Sequence, residues 1–410
     1  MTAENSNGRR WALALRWIGA LGVAAMMTAC GGGGGGGSAG DGSLRVALTD
    51  APSCGFDNVF VTVEKVRVHQ SASAGDADGG WTDINVTPAR KIDLNTLTNG
   101  VLEELGTTQL PAGQYSQVRL VLASNAAGTT TFANSVVPSG GTPTALTTPS
   151  GQQSGLKLQA HFEVASGQQA DLVLDFDACK SVVKAGNSGQ FILKPVISVL
   201  PRVVTGLHGF VTTTLSLSST TVAAQQNGIT VRSTVPDSTG KFTIPFLPAG
   251  TYTLVISSEG HATGVVTGVP AGTTTTVING TATAIATPVS TMADVTGTVT
   301  VTSVSGSSTV STALTDATVF ALQSLTGGPA IELGQQAVDS ALGTYRFHLP
   351  VGAPVKAAFV PGGGALSFTP DAAAAGKYTI QAQSPGRATQ GKPASISGGT
   401  STAVNFGFGP

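Results

Sequence analysis

Charge is scarce in this sequence. Of its 410 residues, 10% are charged, against an average of about 25% in soluble proteins, and the formal net charge at pH 7 is −1. A nearly neutral chain offers no basic surface to nucleic acid or to an anionic membrane. Hydrophobic residues still make up 41%, which excludes disorder driven by charge. We therefore expect two to three folded domains, about one per 150 residues, and no nucleic-acid partner.

Aromatic residues and histidines are also few. Aromatics make up 5% of the chain, and only three residues are tryptophan. Trp11 and Trp17 lie in the first twenty residues, so Trp81 is the one indole left in the body of the chain. Exposed aromatic faces are the usual platforms for sugars, so a carbohydrate-binding function would depend on Trp81, with Tyr378 as the one tyrosine outside the turns described below. The five histidines stand far apart, unlike the clustered ligands of zinc sites.

The N terminus has the features of an export leader. Three arginines, the last of them Arg16, precede or interrupt an apolar stretch that continues from Trp17 to Met27. A membrane-spanning helix needs about 20 apolar residues. The apolar stretch between Arg16 and the seven glycines after Cys30 is shorter than this, which argues against a membrane-spanning anchor.

The end of the leader, Met27-Thr28-Ala29-Cys30, resembles the lipobox of bacterial lipoproteins. The resemblance implies that residues 1–29 are removed and that Cys30 carries lipid. Gly31, and not an aspartate, follows the cysteine, which in that family's sorting pattern implies the outer membrane of a Gram-negative bacterium. Residues 30–43 would form the lipidated end and a flexible glycine-rich tether. An ordinary secreted protein and an uncleaved anchor are the alternatives.

Two cysteines remain once Cys30 is assigned to lipid, namely Cys54 and Cys179. An exported chain folds where disulfides persist, so we expect these two to pair. Closing a loop of that length would stabilise the fold by about 4 to 5 kcal/mol on the chain-entropy model. Two buried free thiols are the alternative.

From Leu44 onward, apolar and polar residues alternate with a period of two, which predicts antiparallel strands. The segment 156–164 places its even-numbered residues on an apolar face, and Leu172, Leu174 and Phe176 form a second one opposite aspartates. In 58–69 the valines change from odd to even positions, which predicts a β-bulge near Glu64 and Lys65. The predicted class is all-β, in tandem antiparallel β-sandwiches.

A turn with Pro and then Gly recurs along the chain, at Pro111, Pro248 and, more loosely, Pro350. Proline fixes φ at the first corner and glycine supplies a positive φ at a later one. Tyr115 and Tyr252 follow the first two copies, which indicates a phenol hydrogen-bonded to the backbone, as in a tyrosine corner. We predict the same role for Tyr345, which lies in a hairpin. The repeat and the breaks between strands predict sandwiches at 44–203, 204–290 and 291–410.

The first of these domains resembles a family of bacterial lipoprotein domains of unknown function, DUF4382. The stretches that carry this resemblance are 48–52, 59–69, 110–115, 174–178 and 193–197, together with Trp81. The second domain, and less clearly the third, resembles the carboxypeptidase regulatory-like, transthyretin-like sandwich of secreted bacterial proteins. Neither family has an agreed catalytic set, so the resemblance implies a fold and a setting but no reaction.

One acidic cluster is predicted in the first domain. Asp175 and Asp177 lie on one face of a strand, and Asp50 lies in an early segment that a Cys54–Cys179 disulfide would bring close. Carboxylates that converge from loops are ligands of Ca²⁺, whereas Asp50 and Asp177 would otherwise cap turns by accepting backbone N–H bonds. Structural calcium is the one cofactor that the sequence allows.

These observations predict a non-enzymatic, lipid-anchored envelope protein that acts as a binding, adhesion or scaffolding module with an envelope ligand, a glycan or a protein. A carbohydrate-binding lipoprotein is the alternative. A metal-assisted or carboxylate hydrolase is a third hypothesis, which would need two carboxylates across a cleft.

Overall fold

Strands dominate the computed structural model, which describes residues 40–51, 55–128, 130–149, 151, 154–202, 205–305, 308–398 and 400–409. The predicted leader, Cys30, most of the tether and Cys54 lie outside the described residues. The all-β class is confirmed: the one α-helix among the described residues, α1, has four residues, Ala178–Ser181. Four 3-10 helices accompany it, at Leu94–Thr96, Leu217–Ser219, Thr281–Thr283 and Ala372–Ala374.

The first domain is a sandwich of two sheets. Its strands are β1 (Asp41–Ala51), β2 (Phe56–His69), β3 (Thr82–Asp93), β4 (Glu103–Pro111), β5 (Gly113–Leu122), β6 (Ser135–Pro138), β7 (Thr144–Thr147), β8 (Leu156–Val164), β9 (Gln169–Asp177), β10 (Val182–Ala185), β11 (Gln190–Leu193) and β12 (Ile197–Pro201). One sheet has the order β12-β9-β1-β4, and the other has the order β10-β11-β7-β6-β2-β5-β8, with β3 paired to β2. β1 begins three residues before Leu44, so the end of the predicted tether is already strand.

The bulge predicted in β2 is confirmed. The register of β2 against both β3 and β5 shifts between Val63 and Lys65. This extra residue lets Val59 and Val63 on one side of the bulge, and Val66 and Val68 on the other, all point into the same core, where each is fully buried.

The second domain is a smaller sandwich. Its own strands are β13 (Gly206–Phe210), β14 (Thr220–Gln226), β15 (Ile229–Thr234), β16 (Lys241–Pro245), β17 (Gly250–Ser258), β18 (Gly264–Ala271) and β19 (Thr276–Val277). A three-stranded sheet, β16-β13-β19, faces a larger sheet that begins β15-β14-β17-β18. Phe242, Tyr252 and Leu254 are among the buried side chains between them.

The third domain contains the remaining strands. They are β20 (Met292–Ser305), β21 (Ser308–Ala313), β22 (Thr318–Ser324), β23 (Ala330–Ala337), β24 (Thr344–Pro350), β25 (Val355–Ala358), β26 (Thr369–Pro370), β27 (Lys377–Gln383), β28 (Gln390–Ser395), β29 (Thr402–Ala403) and β30 (Phe406–Phe408). One sheet is β21-β20-β24, with β29 and β30 on the other side of β20, and the second is β23-β22-β27-β28.

One segment of the third domain belongs structurally to the second. β25 pairs in parallel with β18, and β26 pairs with β25, so both strands extend the larger sheet of the second domain. Phe359, Leu366 and Phe368, which follow β25, pack against the core of that domain. The boundary near residue 290 therefore separates the domains along the chain but not in space.

The tyrosines after the Pro-Gly turns bond to the backbone, as predicted. Tyr115 Oη donates to the carbonyl of Pro111 at 3.0 Å, and Tyr252 Oη donates to that of Pro248 at 2.7 Å. The hairpin tyrosine, Tyr345, donates to the carbonyl of Val404. Each phenol thus satisfies a carbonyl while its ring fills the adjoining core.

The expectation for Tyr378 is wrong. A tyrosine outside the turns would be free to contact a ligand, but Tyr378 is buried and its hydroxyl donates to the carbonyl of Pro350, in the third copy of the turn. In this copy the tyrosine stands on β27, 28 residues after the proline, so the spacing of the first two copies concealed it.

Candidate functional site

The predicted acidic cluster forms, and it lies where the first two domains meet. β1 and β9 run parallel, with Thr49 opposite Asp175 and Ala51 opposite Asp177, which brings the end of β1 beside both aspartates. Asp175 was expected on a solvent-facing strand face, but it is only 8% exposed. The second domain covers this face, and Arg232 of β15 reaches Asp175 with Nη2 3.0 Å from Oδ1.

Burial sets the electrostatics of this pair. Removal from water raises the pKa of Asp175 to about 6, although the Arg232 guanidinium opposes the shift. Arg232 is itself 4% exposed, and its Nε and Nη1 have no partner among the described residues. The junction therefore holds a buried charged pair whose hydrogen bonds are incompletely satisfied, so removal of either partner should be costly.

The other two aspartates cap turns. Asp50 Oδ1 accepts the N–H of Ala178 at 3.0 Å, and Asp177 Oδ1 accepts that of Lys180, also at 3.0 Å, at the start of α1. Burial raises the pKa of Asp50 well above its usual value. The turn-capping alternative is therefore the one that the structure supports for both residues.

The calcium site stays a prediction, and two observations bear on it. No group of three or more His, Cys, Asp or Glu side chains in the described part of the chain is arranged to hold a metal ion. Asp50 Oδ1 and the oxygens of Asp177 contact backbone N–H groups and Lys180, and Asp175 Oδ1 contacts Arg232. Asp50 Oδ2 is buried without a hydrogen-bond partner among the described residues.

Cys179 lies on α1, beside this cluster, and its predicted partner Cys54 lies outside the described residues. The disulfide therefore stays a prediction. Lipidation of Cys30 also stays a prediction, because that residue lies outside the described part of the chain as well.

Trp81 lies in a different place, at the start of β3. Its Nε1 donates to the carbonyl of Gly75 at 2.8 Å. The guanidinium carbons of Arg119 and Arg67 lie 4.4 and 4.8 Å from its ring centre, within the range of a cation–π contact. Arg119 is fully buried and also donates to the carbonyl of Ala74 at 2.7 Å. These contacts support a structural role for Trp81, and its role in ligand binding stays a prediction.

A second polar junction joins the third domain to the other two through Glu332 of β23. Its backbone N–H and C=O exchange hydrogen bonds with the side-chain amide of Gln225, at 3.0 and 2.6 Å. Its carboxylate accepts the N–H of Thr230 at 3.3 Å and lies 3.7 Å from Lys180 Nζ in the first domain. One buried glutamate thus contacts all three domains.

Two further contacts reinforce this arrangement. Asp339, in the turn before β24, accepts the N–H of Gly186 at 2.8 and 2.9 Å. Asn99 Oδ1, in the first domain, accepts the Thr243 N–H at 3.0 Å and the Thr234 hydroxyl at 3.1 Å in the second. The sequence analysis did not identify Asp339 or Asn99 as contacts between domains. The one signal in the sequence is that each is an isolated polar side chain in a strand or turn with little charge.

These junctions enclose a cleft of about 730 Å³ to which all three domains contribute. The first domain supplies α1 and β10, the second supplies β14 and β17, and the third supplies β23 and β24. Its walls combine apolar side chains, such as Phe191 and Leu333, with Lys184 and Arg346. A cleft of this size and mixture suits a small ligand or a short peptide segment.

An ionic cluster lies at the wall formed by β17 and β24. His348 Nδ1 lies 2.7 Å from Asp294 Oδ1, and its Nε2 lies 3.2 Å from Glu259 Oε1 of the second domain. Arg346 Nη2 pairs with Asp294 at 2.6 Å, and hydrogen bonds from Arg346 and His348 lower the pKa of Asp294. The imidazole therefore links two domains through their carboxylates.

The described residues from Gly40 onward form tandem β-sandwiches in one compact unit. Residues 41–195 match the model of the domain of unknown function DUF4382, and residues 206–283 match that of the carboxypeptidase regulatory-like domain. The chain thus contains both predicted families, in the predicted order. No helix in the described part of the chain is long and apolar enough to cross a membrane.

No curated protein is similar enough to this chain to count as a relative. Two crystal structures of the pilus adhesin SpaC from Lactobacillus rhamnosus GG, one of them in an open conformation, share 10% identity with it, at TM-scores of 0.16 and 0.11. The alignments cover 90% of this chain and 43% of the adhesin. At these TM-scores the similarity carries no argument about fold or function.

Proposed function

We propose that this chain is a lipid-anchored protein of the cell envelope whose three sandwiches act together as a non-enzymatic binding or scaffolding module. The observation that supports this proposal most strongly is the three-domain cleft. Its walls are held by the buried pair of Asp175 with Arg232 and by the shared contacts of Glu332. A site assembled from three domains in fixed positions is suited to recognition, because little order has to be gained on binding.

The charges of the cleft favour binding over chemistry. Asp177, Glu332 and Asp339 are engaged as caps or in contacts between domains, so these carboxylates have structural partners. Lys184 adds positive charge to the walls, whereas Arg346 is already paired with Asp294 and Glu259 adds a carboxylate. A ligand that combines polar groups with an apolar portion matches this mixture.

Site-specific photo-crosslinking in the native envelope tests the binding role. A photoreactive amino acid replaces Lys184 in the cleft, and the matched control replaces Lys157, which is exposed on β8. We expect a discrete product from position 184 that is absent from position 157 and is lost in the variant Arg346→Glu. Identical products from both positions, or none from the cleft, would contradict the proposal.

The anchor is tested separately. Intact-mass analysis of the membrane-extracted protein should find an N terminus at Cys30 carrying acyl chains. Cys30→Ala should move the protein out of the outer-membrane fraction, because the body of the chain would lose its only predicted lipid attachment. Fractionation that is unchanged in Cys30→Ala argues against anchoring by this cysteine.

A further inference from the structure

The hairpin of β20 and β21 leaves one strand edge open. β20 pairs with β24 over 292–298 and with β21 over 300–305. β21 pairs with β20 and with no other described strand. Val310, Ser311 and Thr312 on it are exposed, so its outer edge presents backbone N–H and C=O groups to solvent, ready to pair with another strand.

This edge lacks the usual protection against pairing. Folded proteins protect edge strands with charges or prolines, and the stretch 295–315 contains neither. Among the described residues, every other edge strand of four or more residues carries at least one of them: these strands are β3, β4, β8, β10, β12, β15, β16, β23, β24 and β28. β21 is the exception in a chain that protects its edges consistently.

The absence of charge also indicates the partner. When two identical strands pair about a two-fold axis, the contact is isologous, so a charged residue near that axis approaches its own copy and is repelled. A strand of serine, threonine, valine and alanine has no such repulsion and favours extended backbone. We propose that β21 is the surface through which two copies of this chain associate, by antiparallel pairing of β21 with the same strand of the second copy.

On β20, β24 and β21 lie end to end along one side, and β29 and β30 take the other. The proposed pairing joins the β20–β21 hairpins of two third domains into one sheet, in the order β20-β21 and then its mirror order in the second copy. It gives partners to the open backbone groups of both edges. It also covers part of Val310, which is 46% exposed. The cleft lies elsewhere, because β21 does not line it, so this inference does not depend on the proposed ligand.

Sedimentation equilibrium of the full chain in detergent tests the pairing. The wild-type protein should be a dimer that dissociates on dilution. Ser311→Lys, on β21, should weaken the association roughly tenfold or more, because it places two like charges at one interface. Ser395→Lys is the matched control, since Ser395 is also an exposed serine on an edge strand, β28.

Each result decides the matter. Dimeric wild type and control with a weakened Ser311→Lys variant supports the proposal. A monomeric wild type overturns it, and so does a Ser311→Lys variant that dimerises as well as the wild type. Equal weakening by Ser395→Lys overturns it too, because the effect would then come from charge in general. Circular dichroism of the three proteins verifies that each is folded.

Discussion

Two strands of the first domain, β8 and β9, have the same alternation and opposite surroundings. In β8 the polar residues at 157, 159, 161 and 163 face solvent. In β9 the corresponding face carries Val173 and Asp175, and both are buried. At Asp175 the covering side chain is Arg232 of the second domain. A polar strand face therefore indicates which side of the strand points away from the core of its own domain. Whether that side is exposed to water or covered by protein depends on how the next domain packs.

Removal of Arg232, which contacts this face of β9, should have the largest effect on the free energy of unfolding. Arg232→Ala leaves Asp175 buried without its partner, which should lower the free energy of unfolding by about 3 kcal/mol. Lys157→Ala, on the exposed face of β8, should change it by less than about 0.5 kcal/mol. Chemical denaturation of both variants measures the difference. Equal losses would mean that the covered face is no more important than the exposed one.

The pH dependence of Asp175 sharpens the comparison. Its pKa of about 6 in the folded protein lies above the ordinary value of 3.8, so the folded state binds a proton that the unfolded state releases. Its contribution to stability is therefore greatest below about pH 4 and is lost as the pH rises through 6, by about 3 kcal/mol. Asp175→Asn should remove this slope in unfolding measured from pH 4 to 7. A variant that retains the full slope would contradict the assignment.

Asp171 lies on the same face, closer to solvent, and should behave in the opposite way. Partial burial raises its pKa, but the bidentate pair with Arg45, at 2.7 and 2.8 Å, and the amide of Gln169 hold the pKa below its usual value. Its contribution is present above about pH 4 and is lost as the pH falls. Asp171→Asn should cost at most about 1 kcal/mol, and less at high salt. A loss of stability as large as that of Arg232→Ala would contradict the expected difference between the buried Asp175 and the more exposed Asp171.

Metal removal should have the smallest effect. Because Asp50 and Asp177 accept backbone N–H bonds, a chelator should leave the melting temperature unchanged, and added calcium should not raise it. Differential scanning calorimetry with each reagent measures this. A calcium-dependent rise would contradict this expectation and support the metal site that the sequence allows.

Local patterns were enough to predict several features of the fold. The change of phase among the valines of β2 located its bulge, since side chains alternate strictly along a strand and an extra residue must appear in the pattern. The turn of Pro111 and the turn of Pro248 identified the bonds made by Tyr115 and Tyr252. The hydrogen bond of Tyr378 was not predicted because its proline partner is distant in sequence. The contact of Trp81 with Arg119 was not predicted because no residue near Trp81 in sequence indicates it.

The sequence by itself determined the all-β class, the two domain families and the side of each strand that faces its own core, since these depend on neighbours a few residues apart. The tertiary structure alone decided the partners of the remaining side chains: Arg232 for Asp175, Lys180 and Gln225 for Glu332, and β18 for β25. The physical reason is distance along the chain. Contacts between residues fifty or more positions apart leave no local periodicity, so they become visible only when the domains pack together.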